Sequence, residues 1–187
     1  MSAPRVVVLV EGESDRVALR VLAGRLGRDL AAEGVAILPM GGVTNIRAFA
    51  SEHGPQGLGR RVIGLYDIGE ERHVRRGLAA AGLLVDPVVG PVAQGFHACD
   101  PDLEGELLRA LGLDAAEAIV DRAGEGRSRR LLAQMPAQRG WSREQLLRRF
   151  LGSQSGRKAR YAELFTQALD LDRAPRPLLD VLREGAA

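Results

Sequence analysis

Residues 5–15 read Arg-Val-Val-Val-Leu-Val-Glu-Gly-Glu-Ser-Asp, and their order decides the fold class. Val6 to Val10 form an unbroken apolar run with no polar alternation, the pattern of a strand covered on both faces in a parallel sheet. Glu11-Gly12 ends the run. Val17, Leu19, Val21, Leu22, Leu26 and Leu30 then keep a helical stripe to about Ala32, with Gly34 as the stop. The alternation continues outward. Val35–Met40 reads as a second strand, Asn45 to His53 as a short helix, Arg61–Tyr66 as a third strand ending at Asp67, and Glu71 to Ala81 as a helix. Leu83–Val85, extending toward Val89, reads as a fourth strand. Strands alternating with helices predict an α/β fold, a parallel sheet of about four strands flanked by helices. Right-handed crossovers bring the strand C-termini to one edge, where such sheets hold ligands.

From about residue 96 the pattern becomes helical only. Asp100-Pro-Asp-Leu-Glu104 predicts a helix start with Asp100 as N-cap and Pro101 at its first position, and Leu103, Leu107, Leu108 and Leu111 as the buried stripe. Ser142-Arg-Glu-Gln145 is a capping box for a helix to about Leu151. Another helix runs from Arg157 to about Leu171, and Pro175-Arg-Pro177 opens a short last one. The expected division is an α/β core over 1–112 and a helical part over 113–187, packed on that core and carrying Lys158.

The chain has 187 residues, 45% of them apolar, which allows one domain with a real core. No apolar run approaches the roughly 18–20 residues of a membrane span. The opening Met1-Ser-Ala-Pro-Arg5 does not have the build of a secretory signal. A single cysteine, Cys99, excludes a disulfide framework and a CxxC zinc site. These features lead us to expect a cytoplasmic protein.

Of 26 basic residues only one, Lys158, is lysine. The net charge of +2 hides an uneven distribution. Residues 122–160 hold 11 basic side chains against two acids, Glu125 and Glu144, and the remainder is net acidic. Such asymmetry suits a polyanionic partner, although Arg-rich solvated helices give the same count. His53, His73 and His97 have no metal-binding spacing. Trp141 is a candidate for base stacking, against the more ordinary role of a helix staple before a capping box.

Acids gather where the sheet presents its strand ends. Glu11 follows the first strand, with Asp15 a helical turn on. Asp67 ends the third strand, with Glu70 and Glu71 behind it. Carboxylates converging from separate elements repel one another, and hard cations relieve that repulsion. Acids in a first helical turn can instead serve the helix dipole, which suits Glu13, Asp15 and Glu71 better than Glu11 and Asp67.

These residues carry a resemblance. Val8-Leu-Val-Glu-Gly-Glu-Ser-Asp-Arg16 resembles the first motif of Toprim domains, and Glu-Gly with a second acid three residues after the Gly is similar to the Toprim domains of the overcoming-lysogenization-defect (OLD) nucleases. Pro39-Met-Gly-Gly-Val-Thr-Asn-Ile46 resembles the family's Gly-centred segment, and Leu65-Tyr-Asp67 the strand bearing the first Asp of its Asp-x-Asp motif. Phe96 to Glu104 resembles the later acidic segment, and Ser155-Gly-Arg-Lys158-Ala159 the segment with the catalytic lysine. The second Asp of Asp-x-Asp falls on Gly69 here.

The resemblance implies a Toprim, Rossmann-like fold and a metal-dependent endonuclease, hydrolysing phosphodiester bonds of DNA, or of RNA. Glu11 and Lys158 would be catalytic. Glu11, Asp15, Asp67, Glu70 and Glu104 would hold one or two Mg²⁺ or Mn²⁺ ions, with Glu70 or Glu71 standing in for the acid missing at 69. Arg129, Arg130, Arg148, Arg149, Arg157 and Arg160 would grip nucleic-acid phosphates. The alternative is a catalytically weak Toprim module that binds metal or nucleic acid and works with a separate ATPase, since larger family members carry an ATPase domain. Gly152-Ser-Gln-Ser-Gly-Arg-Lys158-Ala159 has neither the spacing nor the Ser/Thr of a phosphate loop, so no ATP site is expected in this chain. Oligomeric state is left open.

Overall fold

A computed structural model describes residues 3–186. Strand β1 (Val6–Val10) leads to helix α1 (Glu13–Arg25), β2 (Val35–Pro39), α2 (Ile46–His53), β3 (Arg61–Asp67), α3 (Glu71–Ala80) and β4 (Phe96–Cys99). Helices follow: α4 (Leu103–Leu111), α5 (Leu113–Arg122), α6 (Gly126–Ala133), α7 (Arg143–Leu151), α8 (Arg157–Ala168) and α9 (Arg176–Ala186). The sheet order is β2-β1-β3-β4, all parallel, with Val10 registered on Pro39 and Asp67 on Cys99. The strands carrying Glu11 and Asp67 are therefore neighbours.

All five β1 side chains are buried, none more than 3% exposed, and each contributes about 1.5–3 kcal/mol relative to an exposed position. Strand alternation divides them between two cores. Val6, Val8 and Val10 pack with α1, α4, α7, α8 and α9, while Val7 and Leu9 pack with α2 and α3. The C-terminal helices thus share a core with one face of the sheet. Helix α9 buries Leu178, Val181, Leu182 and Gly185, one helical stripe, over β3 and β4. Gly64 sits where a Cβ would come within 2.4 Å of the Leu9 carbonyl oxygen and 2.6 Å of the Phe96 ring. Only glycine lets Phe96 lie flat on the strand there.

Three expectations are corrected. The first helix stops at Arg25, short of Ala32, because Gly27 already adopts the left-handed backbone (φ 73°) that ends a helix. The segment after it is anchored by Arg28, which holds Glu33 and the Leu182 carbonyl. The fourth strand is Phe96–Cys99, not the apolar run beginning at Leu83. Asp86 accepts hydrogen bonds from the amides of Val88 and Val89, both 2.7 Å, which folds that run into a turn and leaves Leu84 and Val88 exposed. The cap of α4 is Asp102, whose carboxylate accepts from the Gly105 amide at 2.9 Å, with Asp100 and Pro101 outside the helix. Among the described residues no helix is long and apolar enough to cross a membrane.

Candidate active site

At the C-terminal edge of the sheet lies an open pocket of about 320 Å³, lined by Glu11, Gly12, Ser14, Asp15, Gly41, Gly42, Asp67, Leu103, Glu104 and Lys158. Each acid reaches it from a different element. Glu11 leaves β1, Asp15 occupies the first turn of α1, Asp67 ends β3, and Glu104 occupies the first turn of α4. Lys158 projects from the first turn of α8 and places its Nζ 3.1 Å from Glu104 Oε1. Five residues separated by up to 147 positions thus meet in one pocket.

The electrostatics of the group are those of like charges under a single cation. Burial pushes the Asp67 carboxyl up to about 7, and the charges of Asp15, Glu11, Asp102 and Glu104 add to the push. Asp15 is raised to about 6 by burial, against the lowering effect of the Gly12 amide, which donates to its Oδ2 at 2.9 Å. Glu11 lies above its ordinary value through burial and the charge of Glu70, with Lys158 pulling the other way. Burial pulls the Lys158 ammonium down, but the charge and hydrogen bond of Glu104, with Asp102 and Asp67 behind it, leave it above its usual range.

The donor set fits a hard divalent cation. It gathers four carboxylates and the Ser14 hydroxyl around one pocket, all oxygen donors, and a cation would relieve the repulsion that helps raise the carboxyl pKa values. Among the described residues, no three His, Cys, Asp or Glu side chains already stand as a closed cluster for an ion. Mg²⁺ does not require one, because it keeps several waters and takes one or two carboxylates together with substrate phosphates.

Glu70 stands apart from the pocket wall and pairs with His73 Nδ1 at 2.9 Å, while Glu71 turns to Arg75 at 2.7 Å. Position 69 has open space where a side chain would go. Ser14 is a lining residue that the sequence reading did not single out; its only signal is its place between Glu11 and Asp15.

The basic stretch is more neutralised than its composition suggests. Acids of α5, just before residue 122, reach into it: Glu117 pairs with Arg129 at 3.3 Å, Asp121 with Arg130 at 3.1 Å, and Asp114 with Arg143 at 2.6 Å. Arg148 pairs with Asp102, and Arg157 and Arg160 with Glu125. Arg157 is buried with its guanidinium turned inward, so in this arrangement it is not available to a phosphate. Arg130, Arg149 and Arg160 are exposed, and Arg129 and Arg148 are half-buried. Among the described residues Arg122, Arg127, Arg139 and Arg149 are exposed and have no ion-pair partner. Trp141 is partly exposed, ahead of the capping box in which the Ser142 hydroxyl accepts from the Gln145 amide.

Residues 4–68 match the family model described as "Overcoming lysogenization defect protein-like, TOPRIM domain". That segment includes Glu11, Asp15 and Asp67, while Glu104 and Lys158 lie beyond it. Among solved structures, the C-terminal region of the Xanthomonas campestris pv. campestris OLD protein is similar over 100% of this chain and 96% of its own, at 24% identity and a TM-score of 0.73. The C-terminal region of the Burkholderia pseudomallei OLD protein is similar over 100% of both chains, at 21% identity and a TM-score of 0.70. No curated protein matches the sequence. Residues 4–68 thus match the OLD-like Toprim domain model, and the chain over its whole length has the fold of the C-terminal regions of OLD proteins.

Proposed function

We propose that this chain is a metal-dependent nuclease acting on DNA phosphodiester bonds. The observation that carries the reading is the convergence of Glu11, Asp15, Asp67, Glu104 and Lys158 on one open pocket at the strand C-termini. Asp15, Asp67, Glu104 and Glu11 are the residues that would hold Mg²⁺ or Mn²⁺. Such an ion, when bound, supplies charge stabilisation at phosphorus and a more acidic water. Where Glu11 is left off the ion, its carboxylate is suited to accept a proton from the attacking water. Lys158 is suited to donate to a non-bridging phosphate oxygen as negative charge grows there. Its present partner is a single carboxylate oxygen, and the side chain is half exposed, so a phosphate can reach it.

Supercoiled plasmid incubated with the protein and Mg²⁺ or Mn²⁺ tests the reading. Nicking is expected, with Glu11→Gln inactive. Absence of nicking by the wild type, or equal nicking by Glu11→Gln, would falsify it.

One observation favours a second reading, a weakly catalytic module that binds metal or nucleic acid and needs a separate ATPase. The acid expected at 69 is a glycine, and neither Glu70 nor Glu71 lines the pocket. Nicking that appears only when a co-purifying ATPase is restored would support it.

A further inference from the structure

The residue that precedes Lys158 is buried, at 5% exposure. The Arg157 guanidinium lies 4.1 Å over the Phe150 ring. It donates to the Phe150 carbonyl at 3.1 Å, the Ser153 hydroxyl at 2.5 Å and Glu125 Oε2 at 2.6 Å. Glu125, at the start of α6, also accepts from Arg160 at 2.5 Å and the Tyr161 hydroxyl at 3.3 Å. One carboxylate therefore gathers three side chains from the first five residues of α8. Its counterpart in the basic stretch, Glu144, is exposed and has no ion pair among the described residues.

Helix α8 has no side-chain cap at its start. The residue before it is Gly156, in the left-handed region (φ 76°), which offers no capping side chain. Consecutive residues of a helix point about 100° apart. The buried Tyr161, Ala162, Phe165 and Thr166 set the rotation of the body of the helix. Holding Arg157 inward toward Glu125 keeps the first turn in that register and so decides where Lys158 points. Lys158 cannot set this itself, because its ammonium sits on a flexible four-carbon stem. Loss of the Glu125 charge leaves a buried cation with only neutral partners, a state relieved by turning or fraying the helix start until water reaches the guanidinium.

We infer that Glu125 is a positioning residue, which through the buried Arg157 aims Lys158 at Glu104 and the acidic pocket. Its effect on activity rests on the nuclease reading; its effect on the lysine does not. Because the chain contains a single lysine, labelling with [¹³Cε]-lysine gives one side-chain signal from Lys158. Glu104→Ala, which removes the acceptor outright, defines the displacement of that signal on losing the contact. Glu125→Gln is expected to displace it in the same direction, and Glu144→Gln, which removes an equal charge, to leave it in place. In the nicking assay Glu125→Gln is expected to lower kcat roughly tenfold to a hundredfold with little change in KM for DNA, and Glu125→Asp to recover part of the loss. A folded Glu125→Gln protein whose lysine signal stays at the wild-type position overturns the inference. If Glu125→Gln does not fold, Ser153→Ala decides. Removing that exposed acceptor of Arg157 is expected to displace the signal less, in the same direction, and no displacement overturns the inference. A wild type that nicks no DNA defeats the nuclease reading alone, since the lysine signal still decides this one.

Discussion

At the scale of the residue, Lys158 stands out because every other basic position is arginine. An ammonium is a compact charge with three rotatable donors, whereas a guanidinium is a planar fork. Behind Glu104 at 3.1 Å, there is a contact for a point donor rather than a bidentate one. Lys158→Arg keeps the charge but replaces the compact donor by a planar fork that misplaces it. It is expected to lower the nicking rate by about 10²–10³-fold, as for the loss of an aligned donor at a developing oxyanion. Single-turnover kinetics at saturating DNA measure it, and a rate within a few-fold of wild type would exclude a chemical requirement for lysine. Gly69 offers the reverse experiment. A side chain there meets nothing within 4 Å, and the backbone is outside the left-handed region. Gly69→Asp is therefore expected to fold normally and to bind Mn²⁺ more tightly, as measured by calorimetry. Unchanged affinity would mean that position 69 does not serve the pocket.

At the scale of the element, close approach of backbone and ring fixes β3 between its neighbours. Gly64→Ala is expected to destabilise the protein by about 1–3 kcal/mol, the usual cost of forcing a methyl group into a packed core. The obstacle is the Leu9 carbonyl, which cannot rotate away as a side chain could. Urea unfolding gives the number, and a loss below a few tenths of a kcal/mol would show that the strands part easily. The same elements explain what could be read in advance. β1, β2 and β3 were legible because their apolar runs end in glycine or acids. Glu11 and Asp67 were legible as site residues because each closes such a run. The fourth strand was not legible. Leu83–Val89 has the composition of a strand, but Asp86 turns it, and Phe96–Cys99 is too short and too mixed to show a period. Glu104 emerged through the family resemblance alone. The Glu125–Arg157 pair spans 32 residues and leaves no trace in local spacing.

At the scale of the whole molecule, charge is arranged as an acidic pocket beside a basic surface whose extent the sequence overstates. The excess over 122–160 is largely consumed by pairing, with acids that lie both outside and inside that window. The phosphate grip should then fall to the arginines left exposed, Arg122, Arg127, Arg139 and Arg149. Replacing one that contacts a phosphate by glutamine is expected to lower the slope of log K against log salt by about 0.9. Filter binding over a salt series measures this, and slopes unchanged in all four would place the nucleic acid elsewhere. The acidic pocket makes a separate demand on the fold. An unfolded chain releases the protons of Asp15 and Asp67 near 3.8, whereas the folded one keeps them to about 6 and about 7. Between these values the native state binds more protons than the unfolded state, so this contribution to stability falls as pH rises from about 4 to 7. His97, whose pKa is lowered by burial, works in the opposite sense. The decisive quantity is therefore the difference between wild type and Asp67→Asn. In chelator, the wild type is expected to lose stability relative to Asp67→Asn as pH rises through this window. A divalent cation binds only the deprotonated carboxylates, so its stabilising increment should grow over the same range, and Asp67→Asn should lose most of it. Thermal unfolding at pH 5 and pH 8, with and without Mn²⁺, measures both. An increment independent of pH, or one that survives in Asp67→Asn, would show that the ion binds away from the pocket.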